Sequence, residues 1–354
     1  MTIDLAALRH NLGRIRQFAP GRRVIAIVKA NAYGHGVARI AQALPDVEAW
    51  GVASLDEALH LRNANITQPI ILLEGVFSAH ELSEAARQQL TLVIHHEAHI
   101  EFLAQAVIKE PLSVWLKINT GMHRLGIAPA DVQKTYQRLL SMPAIKKPIG
   151  LMTHFAEADN LESQATLQQI KYFNHITSSL KGPCTLANSA AILKWPAAHG
   201  DWIRPGLILY GASPFMNQTG LDHDLQAVMT LSSRLIAITQ VKKGGKVGYG
   251  GTWVAPEDLF VGVVGIGYGD GYPQFAENGT PVLVNGIECP LVGRVSMDML
   301  TVDLRRYREA QVGDAVILWG VGLPVERVAR YCHSSAYELL TKTTSRPIIE
   351  IKDG

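Results

Sequence analysis

Cysteine is too scarce in this chain to organise it. Cys184, Cys289 and Cys332 are the only three among 354 residues, odd in number and widely spaced, with no Cys-x-x-Cys pair. A disulfide framework and a cysteine-built zinc site are therefore not expected. Long apolar runs are missing too, since none approaches the ~18 residues that a membrane span needs. Nor does charge of one sign dominate: 33 Lys and Arg against 31 Asp and Glu leave a formal charge of +2. A nucleic-acid or anionic-membrane partner would call for a clustered basic face. The one short cluster, Arg305, Arg306 and Arg308, reads as a solvated loop. Met1-Thr2-Ile3-Asp4 carries an early acid and no apolar core like that of a signal peptide, so a cytoplasmic location is expected. His95-His96 lacks an evident third ligand, and no metal is expected. Gly265-x-Gly267-x-Gly269 is not followed by a helical pattern, which removes the dinucleotide reading.

What remains is ordinary globular composition, 47% hydrophobic and 18% charged, in a chain too long for one average domain. Short apolar, β-branched runs recur at 24–28, 49–53, 70–73, 92–94, 114–118, 149–153, 184–187 and 203–210. Helical patterns lie between them, such as 55–62 and 98–108. Alternation of strand and helix implies parallel strands with right-handed crossovers, and eight units predict a closed (β/α)8 barrel over 1–230. Beyond about Leu231 the strands crowd together at 235–241, 261–267, 281–284, 291–292, 300–302 and 315–318, with one helix near 325–331. Turn signals such as Lys243-Gly244-Gly245 and Asn285-Gly286 separate them. This predicts a second, mostly antiparallel β-domain over 231–354.

Chemistry in such a barrel sits at the C-terminal ends of its strands. Lys29 follows the first strand directly. A desolvated lysine has a lowered pKa and can form a Schiff base, whereas a lysine paired with a carboxylate would be structural; the residues alone leave both open. Lys117 and Arg124 flank the end of the fifth strand, His154 the sixth, Asn188 and Ser189 the seventh, and Arg204 to Leu207 the eighth. N–H groups at the ends of strands seven and eight form the usual phosphate cup of these barrels. Ser189 taken alone reads as a helix cap and Gly206 as a turn glycine. In the second domain Tyr249 and Tyr268 sit in glycine-rich loops. There a hydroxyl can serve as acid or base, or the ring can simply cover core.

Together these segments resemble the alanine racemase family. Val28-Lys29-Ala30-Asn31-Ala32-Tyr33-Gly34-His35-Gly36 is similar to the family's pyridoxal-phosphate (PLP) attachment signature. The likeness continues, in order and spacing, through 120–126, 188–191, 204–206, 247–253, 267–273 and 293–299. It implies a two-domain, fold-type III PLP enzyme working as a head-to-tail homodimer, with each site closed by the partner's second domain. It assigns PLP to Lys29, and the phosphate to Tyr33, Asn188, Ser189 and the backbone of Gly206 and Leu207. Arg204 is to face the pyridine nitrogen, oriented by His154, and Arg124 the phenolic oxygen. Tyr249 of the partner subunit becomes the second base. Tyr268 lines the entrance, Met297 and Asp298 bind around the substrate carboxylate, and Asp159 and Arg294 lie at the outer entrance. Lys117, placed with Arg124 behind the ring, is expected to carry a carbamate. Asn119 stands where many members carry aspartate. Thr344 and Ser345 occupy the segment where some members have a phosphate-binding tyrosine.

The chemistry that the resemblance implies is racemisation of alanine by two bases on opposite faces of Cα. Arginine cannot readily release a proton, so Arg204 would leave the ring nitrogen unprotonated, weaken the electron sink and limit transamination. A racemase for serine or a broader amino-acid set would use the same core. A decarboxylase on the same barrel would place an acid at the ring nitrogen. A PLP-carrier protein would leave residues 231–354 unexplained, and a sugar-phosphate enzyme would bind phosphate without a chromophore. Supply of D-alanine for peptidoglycan and breakdown of L-alanine are both open.

Overall fold

The computed structural model describes residues 1–353. They form two compact units. One runs over Leu12–Ala32 and Gly36–Leu209; the other takes Met1–Asn11, Tyr33–His35 and the chain from Tyr210 onward.

The first unit is a closed parallel barrel of eight strands: Arg23–Ile27, Ala49–Val52, Ile70–Leu72, Thr91–Ile94, Val114–Lys117, Gly150–Met152, Cys184–Thr185 and Trp202–Ile203. Closure comes from Arg23 pairing with Trp202 and Val24 with Ile203. Strands buried on both faces read as continuous apolar runs, and Thr91–Ile94 and Val114–Lys117 are buried throughout. Serines start two of the outer helices. Ser54 Oγ accepts from Glu57 N–H ahead of Leu55–Asn63, and Ser78 Oγ from Glu81 N–H ahead of Ala79–Arg87. Inside the barrel, Gly150 makes room for an aromatic neighbour: a Cβ there would lie 2.3 Å from Trp115 Cε3. The eighth strand is shorter than the expected 203–210. Pro205 has no N–H to donate, and the chain turns into a 3-10 segment at Leu207–Tyr210.

The second unit is built on an eight-stranded, largely antiparallel sheet. Its spine is Met229–Val241, a longer strand than the expected 235–241. Residues 231–234 pair with Ala315–Trp319, and 235–241 with Leu259–Val264, the register shifting near each change of partner. Two strands were not foreseen: Thr2–Asp4 lies between the spine, with which it pairs antiparallel, and Glu350–Lys352, with which it pairs parallel at the sheet edge. The helix Val325–Tyr331 is present, and a second, Ala336–Thr341, follows it. No helix among the described residues is long and apolar enough to cross a membrane.

Candidate active site

Lys29 leaves the first barrel strand at the head of an unusual turn. Ala30, Asn31 and Ala32 all lie in the left-handed region, with φ of 52°, 53° and 54°. Left-handed backbone costs about 1–2 kcal/mol per non-glycine residue, so something must hold it. Ala32 N–H donates to Val28 O at 2.8 Å, and Val37 N–H to Asn31 Oδ1 at 2.9 Å. Glu57 grips the turn from the next helix: one carboxylate oxygen accepts Ala30 N–H at 2.6 Å, the other Ala53 N–H at 2.8 Å. Such strain concentrates at functional sites, and here it fixes where the half-buried Lys29 stands.

Arg204, only 5% exposed, rises from the eighth strand without a carboxylate among its hydrogen-bond partners. It donates to Thr185 Oγ1 (2.8 Å), Thr153 O (2.7 Å), Leu186 O (3.0 Å) and His154 Nδ1 (3.2 Å). Burial pushes its pKa down to about 10. Because arginine only donates, His154 Nδ1 must accept, which leaves the imidazole proton on Nε2. Burial, then the charges of Arg204, Lys117, Arg124 and Lys29, hold His154 well below the usual histidine range.

Lys117 ends the fifth strand, 9% exposed. Burial first, then Arg204, Arg124 and Lys29, push its ammonium down to about 8, with Glu74 acting in the other direction. Asn119 folds the following turn: its Oδ1 accepts from Gly121 N–H (3.2 Å) and His123 N–H (3.1 Å), so its amide shapes the approach to exposed Arg124. His95, singled out in the sequence, bonds Glu74 O at 2.9 Å and meets His99 edge-on. At strand seven, Asn188 caps Ser189–Lys194 by accepting Ala191 N–H at 3.0 Å. Buried Ser189 uses its Oγ to accept Gly206 N–H at 3.0 Å, leaving its own O–H to donate. Gly206 N–H, expected to be a free donor, is thus committed to Ser189. Asp159 is exposed.

The remaining predicted residues belong to the other unit. Tyr33 is buried, stacked on Tyr210 at 4.9 Å, with burial raising its hydroxyl pKa. Tyr337, on the helix Ala336–Thr341, lies 6.0 Å from the Tyr33 ring. Thr344 is engaged with Gly269 O at 2.9 Å. Tyr249 sits between the short strands Lys246–Val247 and Trp253–Val254, 70% exposed. Positive φ at Gly248 (72°) and Gly250 (74°) makes that tight loop possible. Arg294 shares with Tyr249 a shallow hollow of about 410 Å³. Tyr268 and the Met297–Asp298 loop are laced together, with Tyr268 N–H donating to Ser296 O (3.1 Å) and Gly269 N–H to Met297 O (2.9 Å). Arg346, absent from the sequence reading, bridges Asp298 (2.9 Å) and Asp270 (3.3 Å).

Residues 3–214 match the family model described as alanine racemase, N-terminal domain, and residues 228–350 match the alanine racemase C-terminal domain. The chain belongs to the alanine racemase family. It is accordingly an enzyme, an amino-acid racemase. It is 50% identical over 352 residues to the biosynthetic alanine racemase of Escherichia coli O6:H1, covering 99% of this chain and 98% of that one. Against the biosynthetic alanine racemase of Escherichia coli K12 it is 49% identical over 354 residues, covering 100% and 99%. Among solved structures, the biosynthetic alanine racemase of Pseudomonas aeruginosa superposes with a TM-score of 0.97 at 45% identity, covering 99% and 98%. That of Acinetobacter baumannii gives 0.94 at 40% identity, with the same coverage. The barrel followed by a mostly antiparallel sheet is thus this family's architecture.

Proposed function

We propose that the chain interconverts L-alanine and D-alanine with pyridoxal phosphate, as a cytoplasmic homodimer whose two sites are each completed by the partner subunit. The observation that carries this reading is the donor set at the barrel mouth. Lys29, Lys117, Arg124 and Arg204 all bear on His154, and Arg204, Arg124 and Lys29 bear on Lys117. An excess of fixed cations fits an anionic ring cofactor with a phosphate. Tyr33, Asn188, Ser189 and the Leu207 backbone are the residues that would hold that phosphate, with Gly206 N–H fixing the Ser189 hydroxyl. PLP supplies the electron sink that makes the substrate's α-proton removable at neutral pH.

The chain's own residues do the rest. Lys29 would hold the cofactor through its aldehyde carbon, and its Nζ would move the α-proton on one face of Cα, while the hydroxyl of Tyr249 of the partner subunit would work on the other. Arg204, whose contacts are all neutral acceptors, has no proton to hand to the ring nitrogen. His154 holds Arg204 through Nδ1. Arg124 faces the phenolic oxygen, and a carbamate on Lys117 aims it there. Tyr268, Met297 and Asp298 narrow the mouth around a small side chain. Asp159 and Arg294 stand at the outer entrance.

Chiral chromatography on a panel of amino acids tests the reading. Alanine is expected to racemise fastest. Faster turnover of serine, or of a broad set, would replace alanine as the substrate. A protein without a visible chromophore and without racemisation would end the reading.

A further inference from the structure

Behind His154 lies a buried polar chain that the proposed reaction does not use. Its origin is Gln169, 4% exposed, on the helix Ala165–Thr177. The amide orientation follows from its partners. Ala156 N–H can only donate and lies 3.0 Å from Oε1; His154 O can only accept and lies 3.0 Å from Nε2. The second hydrogen on Nε2 is then directed to Thr120 Oγ1, also at 3.0 Å. Direction propagates from there. Thr153 Oγ1 donates to Ile118 O at 3.0 Å, so at its 2.7 Å contact with Thr120 it must accept. One ordered chain therefore runs from Gln169 through Thr120 and Thr153 to Ile118, every link a neutral hydrogen bond.

Two of the four acceptors holding Arg204 belong to residues that this chain immobilises. Thr153 O receives Arg204 Nη2 at 2.7 Å, and His154 Nδ1 receives it at 3.2 Å. The Gln169 amide clamps the backbone just beyond, at His154 O and Ala156 N. Through Thr120 it also ties the loop after strand five to the loop after strand six. Buried networks of this kind rigidify what they hold only when every member is satisfied.

We propose that Gln169 is a positioning residue: by clamping the Thr153–Ala156 segment it holds Arg204 and His154 at the level where they face the cofactor ring, and so keeps alanine from being converted to pyruvate. That side reaction needs no outside oxidant. Were the α-proton returned to the cofactor's aldehyde carbon instead of Cα, one water would then hydrolyse the C=N bond, releasing pyruvate and leaving the amino group on the cofactor. An arginine that drifts from the ring lets it proceed more often. The inference rests on the PLP reading above.

The test uses Gln169→Glu in the full-length, cofactor-loaded enzyme. The carboxylate keeps the size and the acceptor for Ala156 N–H, removes the two donations and sets a charge against His154 O, which can only accept. Pyruvate released per racemisation event, read with a coupled dehydrogenase, is expected to rise about tenfold or more, with KM for alanine within about twofold of wild type. A purely structural glutamine would lower the amount of active enzyme and leave that ratio unchanged, so an unchanged ratio overturns the proposal. Should Gln169→Glu not fold, Gln169→Met keeps the length, releases the same clamp without adding a charge, and carries the same expectation and the same overturning result. Wild-type enzyme that binds PLP and racemises, while the variants keep its ratio, sinks this inference alone; wild-type enzyme that does neither sinks the functional reading.

Discussion

The guanidinium of Arg204 reaches His154 Nδ1 at 3.2 Å, and no carboxylate is among the hydrogen-bond partners of either side chain. A buried arginine with neutral partners is the opposite of what an acid at a ring nitrogen would provide. Replacing Arg204 with Glu would present a carboxylate to Thr153 O and Leu186 O, which can only accept. Racemisation is expected to fall about 10²-fold, pyruvate per turnover to rise, and the melting temperature to drop. Steady-state kinetics and calorimetry read all three. A folded variant with the wild-type product ratio would contradict the role.

Acid sensitivity follows from the buried histidines. His99 is pushed down to about 4 by burial and then by His95 and His96. Its folded pKa lies below the ordinary 6.5, so the unfolded chain binds the extra proton first. Stability is then unaffected above pH 6.5 and declines as pH falls toward 4, by up to ~1.4 kcal/mol per pH unit for this group. His154 acts in the same direction from the same upper limit. Urea unfolding of His99→Gln at pH 7.5, 6 and 5 is expected to show a shallower decline than wild type; equal slopes would refute the assignment.

The barrel was legible because each of its strands is a short β-branched run between helices; Lys29, Arg204 and Tyr249 are proposed from the segments around them. The strands Thr2–Asp4 and Glu350–Lys352 were not legible, since three residues carry no period and their pairing joins opposite ends of the chain. The left-handed turn at Ala30–Ala32 contains no glycine to announce it. Gln169 reads as one more polar residue on an amphipathic helix until the loops it bonds are folded beside it. The helix Ala336–Thr341, which brings Tyr337 near Tyr33, was not foreseen either.

Lys117 is the residue most suited to modification. At a pKa of about 8 its neutral fraction at pH 7 is about 300-fold that of an ordinary lysine. Neutral amine and carbon dioxide give a carbamate and one proton, and the new anion would pair with Arg124. Carbon-13 bicarbonate is expected to yield a carbamate signal that grows between pH 6.5 and 8.5 and vanishes in Lys117→Ala. A Lys117→Ala enzyme with full activity, and no response to chloride or small carboxylates, would remove the reason for the group.

Ser189→Ala deletes the acceptor of Gly206 N–H and one hydroxyl of the proposed phosphate site. A single hydrogen bond to a charged group is worth about 1.5–3 kcal/mol. PLP affinity, followed by the chromophore on titration into apoenzyme, is expected to weaken by about tenfold or more. Unchanged affinity would place the phosphate elsewhere.

The central claim is a site shared between subunits, with Lys29 from one chain and Tyr249 from the other. Lys29→Ala and Tyr249→Phe homodimers are each expected to be nearly inactive. Mixed in equal amounts and allowed to exchange, half the dimers are hybrids, and each hybrid has one site with both residues intact. Racemisation should recover to about 25% of wild type if dimers form at random. Exchange demonstrated by mass spectrometry, with no recovery of activity, would contradict the shared site.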